Sequence, residues 1–381
     1  MTYPLIEGTS ALGYDPLPPV SPENLPLCLT SPPPPKPDQK SIFAFWNKGI
    51  QNLPPYLLRN VLAWHRRFSP LGWIIYVIDT VPDSPLNISR FIDTMSPDVV
   101  PDAFTQGTLD GEYAAQHTSD LVRFPPATAL RRPNLDSAYE FAGFTMGDPP
   151  EISAVNFWLM CGTANPLVQR AHYILLGLWE GKTNTKGASG HALVSHVPLM
   201  RVPSEVVVEE EGKGKMVIND EVMTDYAVQI QCLGAAQRWL DELGGWDGPM
   251  YVREKCWLYS MIDGTYVHEQ LTNWTSKKQH ELFCLSLPGP GEEESGDQKL
   301  AKTIVEKAVA GSWCMKLGHG FSAKLFGADS LGMLWRKHDG TDCKEGTYGG
   351  WLRWAETHCK QNAAPKPLEI PVYDPTMRGG D

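Results

Sequence analysis

Apolar and polar positions alternate along this chain with a period that changes from segment to segment. Ser41-Ile42-Phe43-Ala44-Phe45-Trp46 is a short β-rich apolar run and predicts a strand. From Leu53 to Phe68 the apolar residues Leu57, Leu58, Val61, Leu62 and Trp64 fall largely on one side of a helix. Pro54 and Pro55 stand at its start, where proline is tolerated. Trp73-Ile74-Ile75-Tyr76-Val77-Ile78 is continuously apolar, the pattern of a strand buried on both faces, and it ends at Asp79. Strand, helix and strand in this order predict a βαβ unit with parallel pairing, hence an α/β fold. In such folds ligands bind beyond the carboxyl ends of the strands. That rule places Trp46, Asn47, Lys48 and Asp79 at a ligand edge.

Farther along, Ile152–Met160 predicts another strand and Pro166–Trp179 a helix. Two valine-rich runs flanking Glu-Glu-Glu-Gly-Lys-Gly predict a surface hairpin over about 204–220. Glu221–Leu243, Leu300–Ala310 and Gly350–Lys360 read as helices, and about 288–299 as an exposed acidic loop. Residues 1–40 hold eleven of the 33 prolines and are expected to form a disordered arm, with a ligand for a proline-recognition domain as the second reading. One domain is expected over 41–362, followed by a Pro/Gly-rich tail over 363–381.

Composition narrows the classes. A chain of 381 residues with 42% hydrophobic content has ample material for a core. A net charge of -11 lacks the basic face that a nucleic-acid or anionic-membrane binder needs. A sugar phosphate requires only local positive charge, so it stays open. The eight cysteines include no C-x-x-C pair, which gives neither a zinc signature nor a disulfide framework and fits a reducing compartment. No run reaches the ~18 apolar residues of a membrane span. The first residues show no signal peptide, so the expected location is intracellular and cytoplasmic, without a transmembrane segment.

Three motifs carry chemistry. In Gln116-His117-Thr118-Ser119-Asp120-Leu121-Val122-Arg123 an acid and a base spaced i, i+3 share one helix face. Asp120 can accept hydrogen bonds from sugar hydroxyls and Arg123 can hold a phosphate oxygen. In Phe45-Trp46-Asn47-Lys48-Gly49 the tryptophan at a strand end can stack on a nucleobase while Asn47 reads its edge. In Lys316-Leu317-Gly318-His319-Gly320-Phe321 a histidine in a glycine-bracketed loop can approach phosphates or a metal, with His338 in reserve. Lys316, Arg336 and Lys337 add positive charge.

Taken in order, the Trp-bearing βαβ unit and the Ser119-Asp120-Leu121-Val122-Arg123 phrase resemble the capsular polysaccharide synthesis family and the glycosyltransferase-32-like proteins. The resemblance spans roughly 41–360 and implies a GT-A-like fold: a Rossmann-type, mostly parallel sheet with helices on both faces. It implies a UDP- or GDP-sugar as donor, a glycan or other hydroxyl as acceptor, and retention of configuration. Asp120 and Arg123 would be the catalytic pair. Trp46, Asn47, Lys48, Asp79, Asn156 and Lys316 would bind the donor, and His319 would approach a Mn2+ or Mg2+ ion.

The family next turns at Gly-Gly and enters a strand delivering a metal-binding Asp-x-Asp. Here Phe124-Pro125-Pro126 stops the helix, and Asp136, Glu140 and Asp148 stand without the second acid. The match resumes at Tyr139–Phe144 and Ile152–Phe157. Two readings follow: a metal-dependent glycosyltransferase impaired by a missing segment, or a non-catalytic remnant that binds nucleotide sugar or acts as a scaffold.

Overall fold

The computed structural model describes residues 3–15, 22–36, 39–111, 113–125, 139–147, 152–162, 164–202, 205–210, 214–241, 243–318 and 321–370. In chain order it begins with β1 (Thr9–Ala11), α1 (Leu27–Thr30), β2 (Lys40–Phe45), α2 (Pro55–Phe68) and β3 (Trp73–Ile78). Then come α3 (Asp102–Thr105), α4 (Ala114–Leu121), β4 (Phe141–Met146), β5 (Ser153–Cys161) and α5 (Pro166–Trp179). The hairpin β6 (Val206–Glu210) and β7 (Gly214–Ile218) leads to α6 (Asp220–Tyr226) and α7 (Val228–Arg238). After β8 (Leu240–Asp241) and β9 (Trp246–Asp247) follow α8 (Gly248–Lys255), β10 (Cys256–Ser260), α9 (Met261–Thr265) and α10 (Val267–Leu271). The chain continues through α11 (Ser276–Cys284), α12 (Gly296–Ala310), α13 (Phe321–Phe326), α14 (Leu331–Lys337), α15 (Tyr348–His358) and β11 (Cys359–Gln361).

These elements make a mixed α/β protein of two compact units. The first unit comprises Met1–Pro26, Ile50–Ile75 and Ser260–Lys366. It is largely helical, with Tyr56, Phe283, Ile304, Val305, Trp335, Tyr348 and Trp351 in its core. Within α2 the deepest side chains are Tyr56, Leu58, Val61 and Ala63, so the buried stripe sits slightly round from the predicted one. His65, Arg66 and Arg67 occupy its last turn, where cations complement the helix dipole. A capping box at Ser295 and Gln298 begins α12, so the acidic loop ends in a helix start.

The expected disordered arm is corrected at its beginning. Tyr3 and Ile6 are buried in the first unit's core, and β1 pairs antiparallel with β11 from Thr9↔Gln361 to Ala11↔Cys359. Two apolar residues three apart bury enough surface to hold a short segment despite Pro4. Later in the same stretch, Leu29 of α1 is buried. The C-terminal tail is also anchored where it is described: Leu368 donates its backbone N–H to Leu258 O at 2.7 Å, and Ile370 packs on the second unit's core.

The second unit comprises Leu27–Gly49, Tyr76–Tyr259 and Pro367–Asp381. Its core is built from Phe141, Ala154, Leu167, Val168, Leu175, Val228 and Leu233, with α5 and α7 as its main helices. The strands form small sheets: the order β10-β4-β5, and the pairs β2-β3, β6-β7 and β8-β9. The registers of β4–β5, β6–β7 and β8–β9 are antiparallel. One large, mostly parallel sheet is therefore not what the described strands form. At the β2 and β3 ends, Trp46 N–H donates to Ile78 O and Thr80 N–H to Asn47 O, bonds that advance along both segments together as in parallel neighbours. Glu221–Leu243 proves to be two helices, because Ala227 closes α6 and opens α7, and a small hairpin follows. Among the described residues no helix is long and apolar enough to cross a membrane.

Candidate functional site

Helix α4 ends at Leu121, ahead of Phe124 and Pro125, so Arg123 lies just past its last turn. The expected pairing is present. Arg123 Nη1 lies 3.0 Å from Asp120 Oδ1, with side-chain exposures of 32% and 13%. Arg123 also donates to Asn156 O at 3.3 Å and to Ser119 Oγ at 3.2 Å. An exposed i, i+3 pair alone would contribute ~0.3 kcal/mol. What distinguishes this one is the third residue.

Asn156 arrives from β5 through an irregular register. Gly143 pairs with Leu159 but Thr145 with Ala154, so Val155–Trp158 all oppose the single residue Phe144. Such a bulge re-aims side chains out of the regular pleat. Phe144 is fully buried, and its ring lies 5.7 Å from Phe157 and 5.4 Å from Trp158, which packs the bulge in place. Asn156 then donates Nδ2–H to Asp120 Oδ1 at 3.2 Å and to Gln229 Oε1 at 2.9 Å. Gln229, fully buried near the start of α7, donates in turn to Asp120 O.

Tyr226 and His117 complete the surroundings. Burial, reinforced by the Asp120 carboxylate and opposed by Arg123, pushes the Tyr226 phenol up to about 12. Burial lowers the His117 pKa against the pull of Asp120, so the imidazole is held neutral. Its ring is enclosed by Tyr113, Trp179 and Tyr226 at centroid distances of 6.4, 5.8 and 6.2 Å. The arrangement offers a partly exposed carboxylate and guanidinium beside neutral hydroxyl and amide groups, which suits polyhydroxylated or phosphate-bearing ligands.

Each of the other predicted residues has its own local setting. Trp46 is half-buried at the end of β2, with Asn47 and Lys48 exposed after it. Gly49, at φ 80°, closes this turn by donating to Trp46 O at 2.9 Å. Asp79 is 2% exposed, and its carboxylate serves its own loop: Val81 N–H donates to Oδ1 at 3.0 Å and Ser84 Oγ to Oδ2 at 2.7 Å. That aspartate shapes the turn after β3. Glu140 accepts from the Tyr251 hydroxyl at 3.2 Å and faces Lys255 at 3.7 Å. Lys316 belongs to the first unit, where its backbone N–H donates to Thr265 O at 3.0 Å. His338, in the same unit, is exposed, with its ring 5.2 Å from that of His280. His319, Asp136 and Asp148 lie outside the described residues.

Among the described residues no three His, Cys, Asp or Glu side chains converge as a cation shell requires. Asp120 Oδ1 is engaged by Arg123 and Asn156. Asp136, Asp148 and His319, the other candidate ligands, belong to the segments outside the described residues.

Comparison with known proteins settles the family. The chain is 30% identical to glycosyltransferase afumC of Aspergillus fumigatus, over 89% of this chain and 90% of that one. It is 30% identical to O-glycosyltransferase braB of Annulohypoxylon truncatum, over 87% and 82% respectively. The chain belongs to this family of glycosyltransferases. A further member, O-glycosyltransferase PaGT of Phomopsis amygdali, is 29% identical over 96% of this chain and 93% of its own length. No family model matches the chain. No solved structure matches it either. The structure brings Asp120, Arg123 and Asn156 together as hydrogen-bonded neighbours and sets beside them Gln229 and Tyr226, which carry no motif. Tyr226 and Gln229 flank the Ala227 helix junction, and Asn219, which caps α6, is the nearest sequence signal.

Proposed function

We propose that this chain is a GT-A-like glycosyltransferase that grips a nucleotide-sugar donor at Asp120, Arg123 and Asn156 and passes the sugar to a hydroxyl acceptor. The observation that carries this reading is the convergence of these three residues, from α4 and the β5 bulge, into one hydrogen-bonded cluster. Asp120 would accept sugar hydroxyls, and the Arg123 guanidinium would stabilise a phosphate oxygen as negative charge develops on the leaving diphosphate. The Tyr226 phenol, protonated at neutral pH, would donate or accept a single hydrogen bond without carrying charge. Trp46, Asn47 and Lys48 would hold the nucleotide end. The parallel bonding at the β2 and β3 ends supports the GT-A-like arrangement. The names of two of the relatives, both O-glycosyltransferases, support a hydroxyl acceptor. A polysaccharide or capsule acceptor, as the resemblance implies, belongs to the same proposal.

The same proposal includes impairment. The sequence between Arg123 and Tyr139 contains no Asp-x-Asp to hold a cation beside the leaving diphosphate, which supports this reading. The test combines calorimetric binding of UDP- and GDP-sugars with an assay of nucleoside diphosphate release, with and without Mn2+. Binding is expected, with turnover far below the roughly 1–10³ s⁻¹ of ordinary enzymes. Turnover inside that range would overturn the impairment, and failure of every sugar nucleotide to bind would overturn the donor pocket.

A further inference from the structure

Asn156 spends both Nδ2 hydrogens within the protein, one on Asp120 Oδ1 and one on Gln229 Oε1. The orientation of both amides follows from groups that cannot turn round. A backbone carbonyl only accepts, so the Gln229 atom facing Asp120 O is Nε2. Oε1 of the same amide then faces Asn156, which must donate. The Asp120 carboxylate, paired with the Arg123 guanidinium, also accepts and requires the same Nδ2. Turning either amide over would set oxygen against oxygen. Asn156 is thus left with Oδ1, an acceptor, to offer a ligand.

We propose that Gln229 is a positioning residue that locks Asn156 in this single orientation, so that Asn156 Oδ1 selects a hydroxyl of the donor sugar. A hydroxyl can donate to Oδ1, whereas a phosphate oxygen or a carbonyl can only accept and is rejected there. The proposal rests on the donor-pocket reading and adds the atom that discriminates. Gln229 touches no ligand in this scheme. It acts through Asn156, from a fully buried position near the start of α7.

The experiment measures a preference. UDP-glucose, UDP-galactose, UDP-N-acetylglucosamine and GDP-mannose are titrated into the full chain, and the tightest binder is compared with its bare nucleoside diphosphate. The affinity ratio reports what the sugar hydroxyls contribute. Gln229→Met, which fills the space but leaves the Asp120 carboxylate alone to orient Asn156, should cut that ratio about tenfold while binding of the bare diphosphate stays within about twofold. Gln229→Glu supplies a second variant. Protonated, a buried glutamic acid can donate to the Asp120 carbonyl and still accept from Asn156; ionised, it can only accept. Its sugar preference, expressed relative to the wild type at the same pH because the bare diphosphate itself titrates here, should therefore return as pH falls from about 8 to about 5.5.

A wild-type chain that binds the sugar nucleotide no tighter than the bare diphosphate would overturn the role of Asn156 while leaving the pocket. A Gln229→Met ratio equal to wild type, or equal losses for both ligands, would overturn the lock. If no sugar nucleotide binds the wild type, the donor pocket fails first and this inference with it.

Discussion

Two aspartate–arginine clusters in this molecule set the same residue types in different surroundings. In the first unit Asp342 is 0% exposed and takes bonds from Arg59 Nε at 3.0 Å and Arg353 Nε at 2.9 Å. Arg353 further reaches Asn60, Glu356 and the Tyr56 carbonyl. This network is sealed, and a desolvated ion pair of this kind stands only while every partner is present. In the second unit the Asp120–Arg123 pair is partly exposed and shares its hydrogen bonds with Asn156. Identical residue types therefore say little about role. Exposure, together with capacity left for a ligand, separates a fastening from a reading head.

The sharpest way to break the comparison is to remove each aspartate. Asp342→Ala removes the buried carboxylate that Arg59 and Arg353 share and should cost ~3–5 kcal/mol, read from urea unfolding of the full chain. A loss below ~1 kcal/mol would show that the sealed network is not a fastening. His268 extends the contrast to a buried group without a hydrogen bond. It is 0% exposed, neither ring nitrogen has a hydrogen-bond partner among the described residues, Nε2 lies 3.7 Å from Glu269 Oε1, and burial lowers its pKa to about 4. The unfolded chain takes up the proton near pH 6.5, so the stabilisation is complete above that value and is lost as pH falls towards about 4. The ceiling is about 3 kcal/mol. Glu269, raised by burial, works in the opposite sense and trims the loss. His268→Leu should flatten unfolding free energy between about pH 7 and 5, and a curve as steep as wild type would exclude His268 as the source.

Asp120→Ala, by contrast, should leave stability within ~1 kcal/mol yet weaken sugar-nucleotide binding by ~10- to 100-fold. If the unfolding midpoint collapses instead, both clusters are structural. Arg123→Lys sharpens the point at about tenfold, because an ammonium cannot span Asp120, Asn156 O and Ser119 as the guanidinium does. The smallest effect is expected at the other predicted ligand edge. Gly49→Ala must adopt φ 80° with a Cβ 3.3 Å from Asp79 Oδ2, a strain of about 1–2 kcal/mol.

Local features were legible in the sequence. Asp120 in the last turn of α4 and Arg123 just beyond it pair as their spacing implies, and the start of α2 is announced by two prolines. Helix α5 runs as expected from Pro166 to Trp179, with Asn165 capping it. Features made by distant partners were not. Gln229 meets Asp120 and Asn156 across 109 and 73 residues, and nothing in Val228-Gln229-Ile230 distinguishes it from a surface glutamine. Asp79 looked like a ligand because it ends an apolar strand, but Ser84, five residues on, occupies its oxygen. Proline density concealed the N-terminal strand, since composition averages over Tyr3 and Ile6. The resemblance located Asn156, but the bulge that aims it depends on a mismatch between β4 and β5.

That mismatch makes the site sensitive to chain length as well as to residue identity. Deleting one residue within Val155–Trp158 would shorten the stretch that spans Phe144 and re-aim Asn156, while the pairing from Leu159 onward could stay in place.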